Sequence, residues 1–157
     1  MAGRFFVATF IIQPNQMAFS LKTQLTINAP VERLWAALTQ PELVKQYFFD
    51  TDLVTTWEPQ TPIYFRGEWE GKPYEDKGRV LSFVPLQSLA YNYFSSWSDV
   101  EDKPENYQII RYRVKPLGAK TVLFIEQHNI DTIDKKVHSL QNWKGLMVEI
   151  KKLLEHA

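Results

Sequence analysis

Residues able to do chemistry are few in this chain. It contains no cysteine and three histidines, His128, His138 and His156. Thiol catalysis, Cys-ligated zinc and disulfides are therefore out. The histidines form neither an H-E-x-x-H helix nor a tight spacing with carboxylates, so no metal site is expected. His128 should end a strand, at a loop edge or partly buried, while His138 and His156 should be solvated. No serine sits in a G-x-S-x-G turn, which leaves an acyl-transfer triad without its nucleophile. The six glycines are scattered and build no phosphate-cradling loop. Asp50 and Asp52 flank Thr51, and Glu68, Glu70, Glu75 and Asp76 gather about Gly71. Paired carboxylates can exchange a proton when one is buried and its pKa rises. Beside a turn carrying Lys72 and Lys77, they are expected to be solvated instead.

The aromatic residues are the unusual stock: five Trp, seven Tyr and ten Phe, 14 % of the chain. Alternation puts Ile63, Phe65 and Trp69 on one strand face, Tyr91 and Tyr93 on another, and Ile110, Tyr112 and Val114 on a third. Leu123, Ile125 and Gln127 share a face on the next strand. With Val80, these faces would meet a helical stripe of Trp143, Met147 and Ile150. Two readings stay open: a solid aromatic core, or a cavity lined by these residues. A buried tyrosine hydroxyl needs a partner, so Tyr91, Tyr93 and Tyr112 on inward faces favour a wet cavity or a bound molecule. Gln127 would add one more donor and acceptor, and apolar walls with a few convergent polar groups are what a small-molecule site requires. A slip of one residue on any strand would reverse its face.

The elements that must position these residues are legible from period. Leu21, Thr23, Leu25 and Ile27 alternate with polar neighbours, which predicts a half-buried strand. Pro30 suits a helix's first turn, and Val31, Leu34, Trp35 and Leu38 give a short amphipathic helix. Thr39-Gln40-Pro41-Glu42 fits a capping box that would open a second short helix carrying Leu43, Val44, Tyr47 and Phe48. Antiparallel strands are then expected near 52–57, 62–69, 74–84, 88–96, 107–115 and 120–129, broken at Glu58-Pro59, at Glu70-Gly71-Lys72-Pro73, at Pro85, from Ser98 to Asn106, and at Pro116-Leu117-Gly118. Leu140, Trp143, Met147, Ile150 and Leu154 step by three and four, predicting one helix over 133–155, roughly 34 Å long. Such a helix must lie across the sheet to bury its stripe. The fold class is therefore α+β.

At 157 residues the chain fits one domain with a sizeable core. Eighteen basic residues balance eighteen acidic ones, which removes the charge surplus that nucleic-acid binding needs. Phe5 to Ile12 is apolar apart from Thr9, too short to span a bilayer and without a small-residue cleavage site. Residues 1–16 are read as an extension upstream of a start at Met17, in preference to a secretory signal, and residues 17–157 as a single domain in the cytoplasm.

The stretches NAPVERLWAALTQPELVKQYF, PIYFRGEWEGKPYEDKGRVLSFVPLQSLAYNYFSS and NWKGLMVEIKKLLE resemble the START-like (SRPBCC, helix-grip) superfamily, in its branch named after the activator of heat-shock protein 90 ATPase. The resemblance covers Leu21 to Glu155. It departs from the family at Gln60-Thr61-Pro62, where glycines are common, and at Tyr47, near which a Trp is often found. The resemblance implies a curved antiparallel sheet of about seven strands around the C-terminal helix, with a cavity that holds an apolar ligand in many superfamily members. Three functions follow, in order of preference. The first is binding of a hydrophobic or aromatic small molecule, such as a lipid or polyketide-like compound. The second is an interaction or co-chaperone module with a chaperone as partner, although that label comes from a larger protein with a further domain. The third is an enzyme using Tyr91, Tyr93, Tyr112 or Gln127 in the same cavity. No cofactor and no membrane span are expected.

Overall fold

The computed structural model describes residues 18–156. The extension expected over residues 1–16, and the start at Met17, lie outside them. Strand β1 (Phe19–Ile27) leads into helices α1 (Val31–Thr39) and α2 (Pro41–Tyr47). Strands β2 (Asp52–Thr55), β3 (Pro62–Trp69), β4 (Lys72–Val84) and β5 (Ser88–Tyr93) follow. A 3-10 turn at Pro104–Asn106 precedes β6 (Gln108–Leu117), β7 (Lys120–Ile130) and the long helix α3 (Ile133–Glu155). The seven strands form one antiparallel sheet in the order β1-β7-β6-β5-β4-β3-β2. The sheet grips α3, whose Trp143, Leu146, Met147, Ile150 and Leu154 are buried against it. This is the α+β helix-grip architecture.

Helix α3 is fixed at both ends. The Thr132 hydroxyl accepts from the Lys135 backbone N–H at 3.1 Å, a side-chain N-cap. At the far end the Asn28 N–H donates to Glu155 Oε2 at 2.7 Å, and the Arg33 guanidinium donates to the Leu154 carbonyl at 2.9 Å. Contacts to both ends hold the helix across the sheet while leaving its middle turns to face whatever lies opposite.

Several local expectations are corrected. The first strand after α2 ends at Thr55, not 57, because Trp57 turns the chain at φ 63° and its indole donates to the Thr39 carbonyl at 2.9 Å. Thr39 does not open a capping box: it ends α1, its hydroxyl donates back to the Trp35 carbonyl at 2.8 Å, and Gln40 caps α2 without a side-chain bond. The β3–β4 turn is tighter than Glu70 to Pro73. Glu70 and Gly71 alone make it, both at positive φ (52° and 80°), as a two-residue hairpin requires. Pro73 then sits in β4 opposite Glu68, before β5 pairs with that strand, so its missing N–H costs no ladder bond. Strand β5 stops at Tyr93 and not at 96. Where β4 passes β5, a Cβ on Gly78 would lie 1.8 Å from the Asn92 carbonyl oxygen, so only glycine fits that approach.

Candidate functional site

Register brings the candidate residues into rows. Val80 on β4 is opposite Tyr91 on β5, Tyr91 is opposite Ile110 on β6, and Ile110 is opposite Gln127 on β7. All four are buried. The adjacent row runs Leu89, Tyr112 and Ile125. The apolar members of both rows are buried in one cluster with Leu123, Met147 and Ile150, and Tyr112 and Gln127 meet Trp143 of α3.

The rings meet across the rows, tilted at Phe65–Tyr91 and edge to face at the other two contacts. Phe65 and Tyr91 have centroids 5.5 Å apart, Tyr91 and Tyr112 6.2 Å, and Tyr112 and Trp143 5.9 Å. Offset and T-shaped pairs of this kind each add to the stabilisation their buried area provides. The polar atoms within the cluster are unequally served. The Trp143 indole donates to Gln127 Oε1 at 2.6 Å, and the Gln127 amide donates to Gln108 Oε1 at 2.5 Å. Gln127 is thus committed to fixing the indole. The Tyr47 hydroxyl donates to the Ala37 carbonyl at 2.9 Å. Tyr91 and Tyr112 have only each other among the described residues, at 3.4 Å, beyond the usual O–H···O range of about 2.5–3.0 Å. Burial pushes the Tyr112 phenol up to about 12 and the Tyr47 and Tyr91 phenols well above the usual tyrosine value. All three are neutral donors at pH 7.

Two expectations fail here. Trp69 shares the face of Phe65 by parity but is 56 % exposed, because the last residues of β3 extend with the hairpin beyond the reach of α3. It lines nothing with the other candidates. Asp76, expected to be solvated, is buried on the inner face opposite Phe65. Its carboxylate accepts from the Tyr93 hydroxyl and from the Ser96 N–H and hydroxyl. Tyr93 is half-buried, and burial followed by the Asp76 charge raises its phenol well above the usual value. Tyr93 therefore serves Asp76. His128 bridges Ser20 (2.8 Å) and Glu126 (2.9 Å), while His138 and His156 are exposed.

A cleft of about 310 Å³ opens between the end of α2 and the middle of α3, lined by Tyr47, Phe49, Gln141, Asn142, Gly145, Leu146 and Glu149. A Cβ on Gly145 would meet nothing within 4 Å. Packing does not demand this glycine, and its lack of a side chain widens the cleft. Tyr47 is at once a lining residue of the cleft and a buried member of the core cluster that holds Tyr91 and Tyr112. Phe49 and Asp50 hold the outer lip in the left-handed region, at φ 53° and 57°. Apart from Tyr47, these residues carried no chemical signal in the sequence. A glycine inside an otherwise good helix was the one available cue. A second hollow, of about 390 Å³, lies on the β3–β4 hairpin among Arg66, Gly67, Pro73, Tyr74 and Glu75, where Arg66 and Glu75 already pair at 2.6 Å. Among the described residues no three His, Asp or Glu side chains gather as metal ligands, and no helix is long and apolar enough to cross a membrane.

Known proteins share this fold. The solution structure of ChR145 from Cytophaga hutchinsonii is 36 % identical, with a TM-score of 0.77 over 88 % of this chain and 94 % of that one. MLL2253 from Mesorhizobium loti is 20 % identical (TM-score 0.72, 88 % and 98 % covered), and the Aha1 dimer from Colwellia psychrerythraea is 16 % identical (TM-score 0.67, 87 % and 96 % covered). No curated protein matches the sequence. The family model described as Activator of Hsp90 ATPase homolog 1-like protein matches residues 28–155, and the chain belongs to that family.

Proposed function

We propose that this protein binds a small, largely apolar molecule between the inner face of the sheet and α3, admitted through the cleft beside Gly145. One observation carries the reading: Tyr47, which lines the cleft, is a buried member of the same core cluster as the under-bonded Tyr91–Tyr112 pair. At about 310 Å³ the cleft has the volume of a small ligand pocket. The helix-grip scaffold supports ligand binding in general. Binding is favoured over catalysis because the interior phenols stay protonated at neutral pH and Asp76 is occupied by three donors, which leaves no poised acid–base pair.

The test uses N-phenylnaphthylamine, an uncharged dye that brightens in apolar surroundings, with the wild type and with Gly145→Trp. The new indole would fill the cleft without meeting existing atoms at its Cβ. Saturable brightening that the substitution abolishes, with an unliganded melting temperature no lower than that of the wild type, is the expected result. Absence of saturable binding, or equal binding by both proteins, overturns the reading.

A further inference from the structure

Two buried hydroxyls that share one long contact cannot both use their protons. If Tyr91 donates to Tyr112, the Tyr112 proton has no acceptor among the described residues, and the reverse holds if Tyr112 donates. An orphaned donor in a core costs more than a half-used acceptor. The pair therefore needs an acceptor, and it lies beside α3, where the ring of Tyr112 meets Trp143, in the same core cluster as the cleft residue Tyr47. The charge of that acceptor is also restricted. Among the described residues the buried polar and charged ones are Thr51, Asp76, Thr121 and Gln127, with no Lys or Arg. A carboxylate or phosphate would thus be desolvated without a counter-charge.

Resting on the ligand-binding reading above, we propose that Tyr91 and Tyr112 together recognise an uncharged hydrogen-bond acceptor, of the ketone or ester carbonyl type, carried by the otherwise apolar ligand. The phenols act as donors to one oxygen. Gln127 takes no part, since its amide is bound to Trp143 and Gln108. Trp143, held by that amide with its ring 5.9 Å from Tyr112, makes the apolar wall beside the carbonyl.

Three probes of one shape separate the possibilities: acetylnaphthalene, ethylnaphthalene and naphthoate, titrated calorimetrically into the wild type, the two single variants Tyr91→Phe and Tyr112→Phe, and the double variant. The wild type is expected to bind the ketone about tenfold more tightly than the hydrocarbon, as one or two added hydrogen bonds imply, and to bind naphthoate weakest. The double variant should bind ketone and hydrocarbon alike, while still binding the hydrocarbon as the wild type does. Melting curves verify that each variant is folded, and the single variants carry the test if the double one is not. Equal binding of ketone and hydrocarbon by the wild type overturns the acceptor assignment, as does a ketone preference that survives both substitutions. It leaves the ligand-binding reading standing. Failure of all three probes to bind overturns that reading, and this one with it.

Discussion

At the scale of single residues, the hydroxyls of the inner face divide into employed and idle. Tyr47→Phe removes a bond of 2.9 Å to the Ala37 carbonyl and leaves that carbonyl unserved, and should cost about 1 kcal/mol in urea unfolding. Tyr91→Phe combined with Tyr112→Phe removes both ends of a 3.4 Å contact. It should therefore be neutral or stabilising to within about 0.5 kcal/mol. The same phenols give an alkaline signature. Burial raises Tyr112 from 10.0 to about 12, so the folded state keeps a proton that the unfolded chain releases. Stability from this group is complete below pH 10 and is lost as pH rises through about 12. Each such tyrosine steepens the loss by about 1.4 kcal/mol per pH unit, and Tyr47, Tyr91 and Tyr93 share the direction. Unfolding free energies measured from pH 8 upward should fall beyond pH 10, and less steeply in the double Phe variant. A flat profile would contradict the burial of these phenols. Sequence parity placed Tyr91, Tyr112 and Gln127 inward, but not Asp76. A carboxylate near a hairpin reads as solvated unless one knows that Tyr93 and Ser96 fold back over it.

At the scale of elements, α3 is both core and boundary of the cleft. Its extent was readable because the stripe from Leu140 to Leu154 has the period of a helix; the Thr132 cap that fixes its start is a finding of the structure. What Gly145 faces was not readable, since Tyr47 and Phe49 reach it through the turn after α2. Gly145→Ala should raise stability by about 1 kcal/mol through helix propensity, as its Cβ meets nothing. Trp143→Ala, by contrast, empties a buried indole site and strands Gln127 Oε1, and should cost roughly 3–5 kcal/mol. The β4–β5 crossing is less tolerant still. Gly78→Ala puts a methyl 1.8 Å from a backbone oxygen, and the strands must separate to admit it. Loss of cooperative thermal unfolding, or of soluble protein, is the expected outcome.

At the scale of the whole molecule, alternation and helical period were enough for a seven-stranded sheet around one helix. They did not dictate that β1 joins β7, a pairing of strands from opposite ends of the chain that the structure shows. The same closure puts Gln127 opposite Leu21 and sets the inner rows in register. On the proposed function the interior is a scaffold shaped for a guest, with a mouth at mid-helix and a pair of donors within. The most direct test is a set of intermolecular nuclear Overhauser effects between bound acetylnaphthalene and the protein. The account predicts contacts from the ligand to the rings of Tyr47, Tyr112 and Trp143. Contacts confined to Phe49, Gln141 and the outer turn of the cleft, with the inner rings untouched, would contradict it.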